Sequence, residues 1–166
     1  MPAGPHHEDY SPAYAGEHGR FTVIPAAYVF LRRGDEVLLQ LRDGTGYYDG
    51  HWAAGAAGHV EQGESVLAAA AREAHEELGV TVEPDDLVAL TTMHRTGGSG
   101  AAIDERIDVF FSCSRWGGEP SLQEDKAADL RWFALDDLPD PVVPHELFVL
   151  ERLRAGTLAP ISPYGF

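Results

Sequence analysis

One stretch constrains this chain more than any other: Gly58 to Val80, reading GHVEQGESVLAAAAREAHEELGV. A glycine-punctuated loop, with Gly58 and Gly63, runs into a segment whose last turns carry Arg72, Glu73, Glu76 and Glu77 before Gly79. Ser65 stands where an N-cap belongs and Gly79 where a helix stops, so the spacing predicts one helix between them. On such a helix Glu73, Glu76 and Glu77 fall at i, i+3 and i+4 and share a face. Like charges so placed repel unless a positive group sits among them. Leu67, Ala70, Ala71, Ala74 and Leu78 take the other side, the face that docks on a core. Three glutamates on a helix are, by themselves, more often a solvated face. A helix buried on one side and triply acidic on the other nevertheless suggests a divalent-cation site, since hard cations take oxygen ligands.

Composition narrows the field. At 166 residues the chain is long enough for one domain with its own core. A net charge of −15 argues against gripping a nucleic acid polymer along its backbone, which needs clustered Lys and Arg. A small phosphorylated ligand stays open, because a bound metal inverts the local charge. Cys113 is the only cysteine, so there is no internal disulfide framework, which fits a reducing cytosol. Neither a secretory signal nor a spanning apolar run is read in the chain, and a cytoplasmic protein away from membranes is expected. Lys126 is the sole lysine among the basic residues, and Ala and Gly are plentiful, a bias that suggests a GC-rich bacterial genome.

The periodicities place the remaining elements. Residues 1–20 follow neither the strand nor the helix period and read as a flexible leader or an arm packed on the surface. FTVIPAAYVFL at 21–31 reads as a strand, with Pro25 suggesting an edge or a bulge. A turn at 32–35 joins it to EVLLQLR at 36–42 as a hairpin. A glycine-rich loop at 43–50 carries Tyr47 and Tyr48, and a short apolar run follows at 52–57. Further strands are expected at 87–95, within 103–115 and at 130–135. Flexible or polar connections fall at 96–102 and 116–129. Residues 143–155 fit an amphipathic helix with Leu147, Leu150 and Leu153 at helical spacing, ended by Gly156. A domain at 21–157 with a tail at 158–166 is the expected organisation. Its class is α/β: five or so strands and two helices, forming a mixed sheet flanked by helices.

The fixed positions of the opening stretch are Gly58, five residues, Glu64, seven residues, Arg72-Glu73-Ala74, one residue, Glu76-Glu77, one residue, Gly79-Val80. This resembles the Nudix box, complete at every fixed position. The WF-x-LDDLP segment at Trp132 to Pro139, ahead of the C-terminal helix, also resembles Nudix hydrolases of the MutT-like type, and the likeness covers Phe21 to Ala155. One departure is visible. Many members carry a proline shortly before the box glycine, whereas here the run is Ala53-Ala54-Gly55-Ala56-Ala57. The metal-binding positions are intact.

The resemblance implies a Nudix fold, a mixed β-sheet sandwiched between helices as an α/β/α arrangement. It implies a hydrolase of phosphorus-containing anhydrides that uses Mg²⁺ or Mn²⁺ to direct water at a phosphorus. The substrate would be a nucleoside diphosphate linked to another group. Glu73 and Glu77 would be the principal metal ligands, Glu76 a third and the Gly58 carbonyl a backbone ligand. Arg72 would hold a glutamate by a charge-assisted hydrogen bond, with Glu64 supporting the loop–helix geometry. The general base would come from the box, as Glu73 or Glu76, or from Asp104, Glu105 or Glu124 farther along. Tyr47 and Tyr48, beside the box, and Glu105 are the expected substrate contacts, whereas Trp52 and Trp132 are core or rim. His59 is expected to hydrogen-bond within its loop and Cys113 to be structural. His6, His7 and His18 lack zinc spacing.

Two other readings compete. A catalytically silent Nudix domain that senses a nucleotide would usually have lost box glutamates, which are all present. A prenyl-diphosphate isomerase-type relative needs a reactive cysteine, and Cys113 is far from the box. The compact chain is similar to the (d)NTP pyrophosphatase type. Homodimers are common in the family, and the loops around the box set the substrate.

Overall fold

The computed structural model describes residues 21–166; the expected leader at 1–20 lies outside the described residues. In chain order the elements are β1 (Ile24–Arg33), β2 (Glu36–Arg42), β3 (Trp52–Ala54), β4 (Ala56–His59), α1 (Val66–Leu78), β5 (Leu87–Arg95), β6 (Arg106–Cys113), β7 (Ala127–Ala134), α2 (Pro144–Ala155) and β8 (Ile161–Tyr164). The eight strands form one mixed sheet that forks. β1 pairs parallel with β6 and antiparallel with β4, β6 pairs antiparallel with β5, and β5 pairs parallel with β8. The other arm is β2 with β3 and β7 on its two edges, both antiparallel.

The fork has a local cause. The expected β1–β2 hairpin holds for only two pairs, Arg32↔Val37 and Arg33↔Glu36. Beyond them β1 takes β4 as its neighbour and β2 takes β3. The expected apolar run at 52–57 is therefore two strands, parted at Gly55. A β-carbon at Gly55 would stand 3.1 Å from Leu78 Cδ1, so the residue at this switch point sits hard against α1.

Both faces of β1 are apolar because both are covered. Ala26, Tyr28 and Phe30 share one cluster with Phe110, Met93, Val149 and Leu150, under α2. Ala27, Val29 and Leu31 share the other with Ala70, Ala74, Leu78 and Phe111, under α1. Each large side chain so buried contributes about 1.5–3 kcal/mol by leaving water. The α/β/α layering follows from this alternation. Cys113 is fully buried in the α1-side cluster, as a structural residue should be.

Several expectations change. Pro25 is the second residue of central β1 rather than an edge or bulge residue, and sits just ahead of the pairing with β4 at Ala26. The segment 158–166, expected as a tail, supplies edge strand β8, paired with β5 from Thr92↔Ile161 to Arg95↔Tyr164. A four-residue strand containing proline carries little periodic signal, and Pro163 is tolerated on an edge. Helix α1 is rolled relative to the expectation: Ala69, Ala70, Glu73, Ala74 and Leu78 face inward, and Leu67 is 38 % exposed. Alanines let α1 come close to the sheet, which brings the Glu73 side chain to the backbone of β4. Among the described residues no helix is long and apolar enough to cross a membrane.

Candidate active site

Helix α1 is fixed at both ends by its sequence. Ser65 Oγ accepts the Ala68 N–H at 3.1 Å, and Gly79, at φ 70°, closes the helix by donating to the His75 carbonyl. Near the middle Arg72 sits among the acidic residues. Its Nε and Nη2 grip both oxygens of Glu64 at 2.8 and 3.0 Å. Its Nη1 reaches Glu73 at 2.6 Å and Glu76 at 3.2 Å, and Nη2 also donates to the His59 carbonyl at 3.1 Å. Glu64 in turn accepts the Glu61 N–H, so the loop is stitched to the helix. The hydrogen bonds from Arg72 hold the Glu64 carboxyl down to about 2. The same carboxylates push the Arg72 guanidinium up from its ordinary value, Glu64 foremost. The repulsion among like charges is thus answered by one saturated arginine.

The three glutamates are not equivalent. Glu73 is buried, Glu77 half-buried and Glu76 exposed. Glu73 lies against Gly58, where a β-carbon would overlap its carboxylate, so glycine lets the carboxylate stay where it is. Burial raises the Glu73 pKa, and Arg72 partly opposes it. Glu77 has different partners: Gln40 Nε2 donates to its Oε2 at 2.9 Å and the Ala57 N–H at 3.4 Å. Burial pushes Glu77 up to about 8, with the Gln40 hydrogen bond pulling the other way. A half-buried carboxylate with amide partners and, among the described residues, no ion pair is one that a cation would relieve. Among the described residues no group of three His, Cys, Asp or Glu side chains is arranged as a ready cation cage. The donor chemistry still suits a hard divalent ion: carboxylate oxygens from Glu73, Glu76 and Glu77 beside the Gly58 backbone.

A groove opens at the fork of the sheet. One cavity of about 260 Å³ is lined by Tyr28, Arg42, Tyr47, His59, Arg106 and Glu146, with alanines between them. A second, of about 340 Å³, shares Arg42, Gly58 and His59 with the first and reaches Glu77 and Lys126. Behind the first cavity lies a buried polar group. The Tyr28 hydroxyl shares a 3.3 Å hydrogen bond with His145 Nε2, and Arg95 pairs with the fully buried Asp108. Burial holds His145 down to about 3 and pushes Glu146 up to about 7, where Glu146 accepts the Ala54 N–H.

The expected site residues separate into those brought together and those not. Gly58, Glu64, Arg72, Glu73, Glu76 and Glu77 converge, and Tyr47 lines the cavity beside them. Tyr48 lines neither cavity; it packs edge-on against Tyr47 and His51. Glu105 turns to His94 at 2.8 Å, and its neighbour Arg106 enters the cavity instead. Asp104 is spent on the Gly97 and Ser99 N–H groups, and Glu124 pairs with Lys126 at 2.9 Å. His59 bonds across to Arg106 at 2.8 Å rather than within its loop. No motif or spacing in the sequence marks Gln40, Arg42, Arg106 or Glu146. A glutamate in the first turn of an expected amphipathic helix reads as solvated, and no local signal marked it as buried.

A forked sheet between two helices, with an acidic helix face at the fork, is the architecture of a Nudix-fold protein. The family model described as the NUDIX domain matches residues 22–153. The chain is 34 % identical over 132 residues to a protein of Stutzerimonas stutzeri named NAD-capped RNA hydrolase NudC, covering 78 % of this chain and 43 % of that one. It is 31 % identical over 155 residues to a Pseudomonas aeruginosa protein of the same name, covering 89 % and 51 %. The chain spans about half the length of the curated relatives it matches. Among solved structures it superposes on a MutT NUDIX hydrolase from Burkholderia pseudomallei with TM-score 0.72 and 27 % identity, covering 80 % of this chain and 98 % of that one. The E. coli ORF135 protein shares the fold at TM-score 0.65 and 21 % identity, covering 81 % and 91 %. This chain belongs to the Nudix hydrolase family, whose members hydrolyse pyrophosphate bonds.

Proposed function

We propose that this chain is a divalent-metal-dependent hydrolase that cleaves the pyrophosphate linkage of a nucleoside diphosphate joined to another group. The observation that carries the reading is the half-buried Glu77, which opens with Gly58 onto a groove and, among the described residues, has no cation within 4.0 Å. A Mg²⁺ or Mn²⁺ ion held by Glu73, Glu76, Glu77 and the Gly58 carbonyl would offset diphosphate charge and acidify a bound water. The chain's own residues do the positioning. Arg72 fixes Glu73 and Glu76, and Gln40 fixes one oxygen of Glu77, leaving the other outside these bonds. The proton of the attacking water goes to a carboxylate on or beside this face, because Asp104 and Glu105 are engaged elsewhere, whereas Glu124 pairs with Lys126 at the second cavity and acts on Glu73 and Glu77.

The relatives named NAD-capped RNA hydrolase favour a dinucleotide diphosphate as one substrate class, beside the nucleoside triphosphates. With a net charge of −15, a long RNA would meet little attraction beyond its cap. The isomerase-type alternative loses support because Cys113, the sole cysteine, is fully buried away from the groove. The test is a panel of nucleoside triphosphates, NAD, ADP-ribose and nucleotide sugars, with and without Mg²⁺, read by phosphorus NMR. Mg²⁺-dependent cleavage of an anhydride bond is expected. A folded protein that turns over no diphosphate compound would overturn the reading in favour of a silent domain.

A further inference from the structure

The cations around the groove fall into two groups. Arg72 is matched by Glu64, Glu73 and Glu76, Arg95 by Asp108, and Lys126 by Glu124. Arg42 and Arg106 line the groove, yet among the described residues neither comes within 4.0 Å of a carboxylate. In a chain with 27 acidic and 12 basic residues, two such arginines in one cavity point to an anion from outside. Both are held in place. Arg106 donates from Nε to the Ile103 carbonyl at 3.0 Å and from Nη1 to His59 Nε2 at 2.8 Å. Arg42 donates from Nε to the Tyr47 carbonyl at 2.7 Å and from Nη2 to Thr45 Oγ1 at 3.0 Å. Each keeps one terminal nitrogen, Nη2 of Arg106 and Nη1 of Arg42, outside these bonds. A guanidinium already fixed loses less freedom when it binds. Glu146 lines the same cavity, is 3 % exposed and is held by the Ala54 N–H; it acts on Arg42 from beyond ion-pair distance.

We propose that Arg42 and Arg106 form an anion-binding wall across Gly58 from the acidic helix face, taking a phosphoryl group of the substrate directly. His59 is the positioning residue that aims Arg106. This rests on the hydrolase reading and sharpens it: the substrate's phosphate chain straddles Gly58, one part facing the glutamates and the other facing the arginines.

The test is calorimetric binding of ADP in chelator, where no metal contributes and no turnover occurs. Arg106→Gln and Arg42→Gln should each weaken binding about tenfold, the loss expected for one charge-assisted hydrogen bond. Arg106→Lys should recover part of the loss. Arg154→Gln, the same charge change on the exposed surface of α2, should leave binding unchanged. His59→Ala should weaken ADP binding less than Arg106→Gln, and in the hydrolase assay should raise KM more than it lowers kcat. Wild-type protein that fails to bind ADP without metal would overturn the proposal. So would wild-type affinity in both groove variants, or an equal loss in Arg154→Gln. Metal-free ADP binding that depends on the arginines, in a protein with no hydrolase activity, would keep the wall and refute the reaction.

Discussion

Arg72 and Arg106 both reach His59, one at its backbone carbonyl from α1 and the other at its ring from β6. They serve opposite ends. Arg72 is saturated by three of the chain's own carboxylates, so it organises the acidic face and has little left for a ligand. Arg106 has a histidine and a carbonyl as partners, so its charge remains available. The contrast teaches that in an acidic chain a groove arginine is understood by counting its carboxylates. A full set marks a structural clamp, and an empty one marks a wall that faces the ligand.

The hardest blow to the acidic side is Gly58→Ala. Its β-carbon would displace the Glu73 carboxylate that Arg72 holds. Turnover should fall about 100-fold or more, and Tm by about 4–8 °C if roughly 2 kcal/mol is lost. Adding Glu73→Ala should restore Tm but not turnover; recovery of both would show that Glu73 is not needed on this face. Arg72→Gln comes next, with turnover lowered about 10–100-fold and stability by about 1–3 kcal/mol in denaturant titration. Unchanged turnover would mean that the clamp supports the fold alone.

Behind the cationic wall, Glu146 links burial to pH. Its folded pKa of about 7 lies above its ordinary 4.5, so the folded state holds the proton more tightly. The Glu146 contribution to stability is then greatest at low pH and declines as pH rises from about 4.5 to 7, by about 3 kcal/mol at most. Glu146→Gln should flatten that part of the Tm-against-pH curve relative to wild type, and parallel curves would contradict the burial argument. The smallest effect separates two neighbours. Tyr47→Ala should raise KM for a nucleotide about 3- to 10-fold, as for a lost aromatic contact. Tyr48→Ala, outside both cavities, should change KM less, and an equal rise would put Tyr48 in the pocket.

The acidic side was legible because it is local. Gly58, Glu64, Arg72, Glu73, Glu76 and Glu77 lie on the end of one strand, the loop after it and one helix, and helical spacing places the last four. Strand β5 at Leu87–Arg95 and strand β2 at Glu36–Arg42 were likewise readable from their apolar runs. The two arginines and the Glu146 behind them were not, because Arg42, Arg106 and Glu146 come from β2, β6 and α2 and meet only through strand pairing and helix packing. Glu105 was the expected contact, yet Arg106 is the residue that lines the cavity; adjacent residues entering a strand point to opposite faces, so a shift of one position chooses the other side. Strand β8 escaped notice because Ile161–Tyr164 is short, and its partner β5 lies some seventy residues earlier.

The central claim is that the groove performs metal-dependent hydrolysis through the glutamates beside Gly58, and Glu77→Gln tests it most directly. The substitution keeps the side-chain shape, so circular dichroism and Tm should match wild type. Turnover of a nucleotide anhydride at saturating Mg²⁺ should fall by orders of magnitude, about 10²-fold or more. Near wild-type turnover in a folded Glu77→Gln protein would contradict the account.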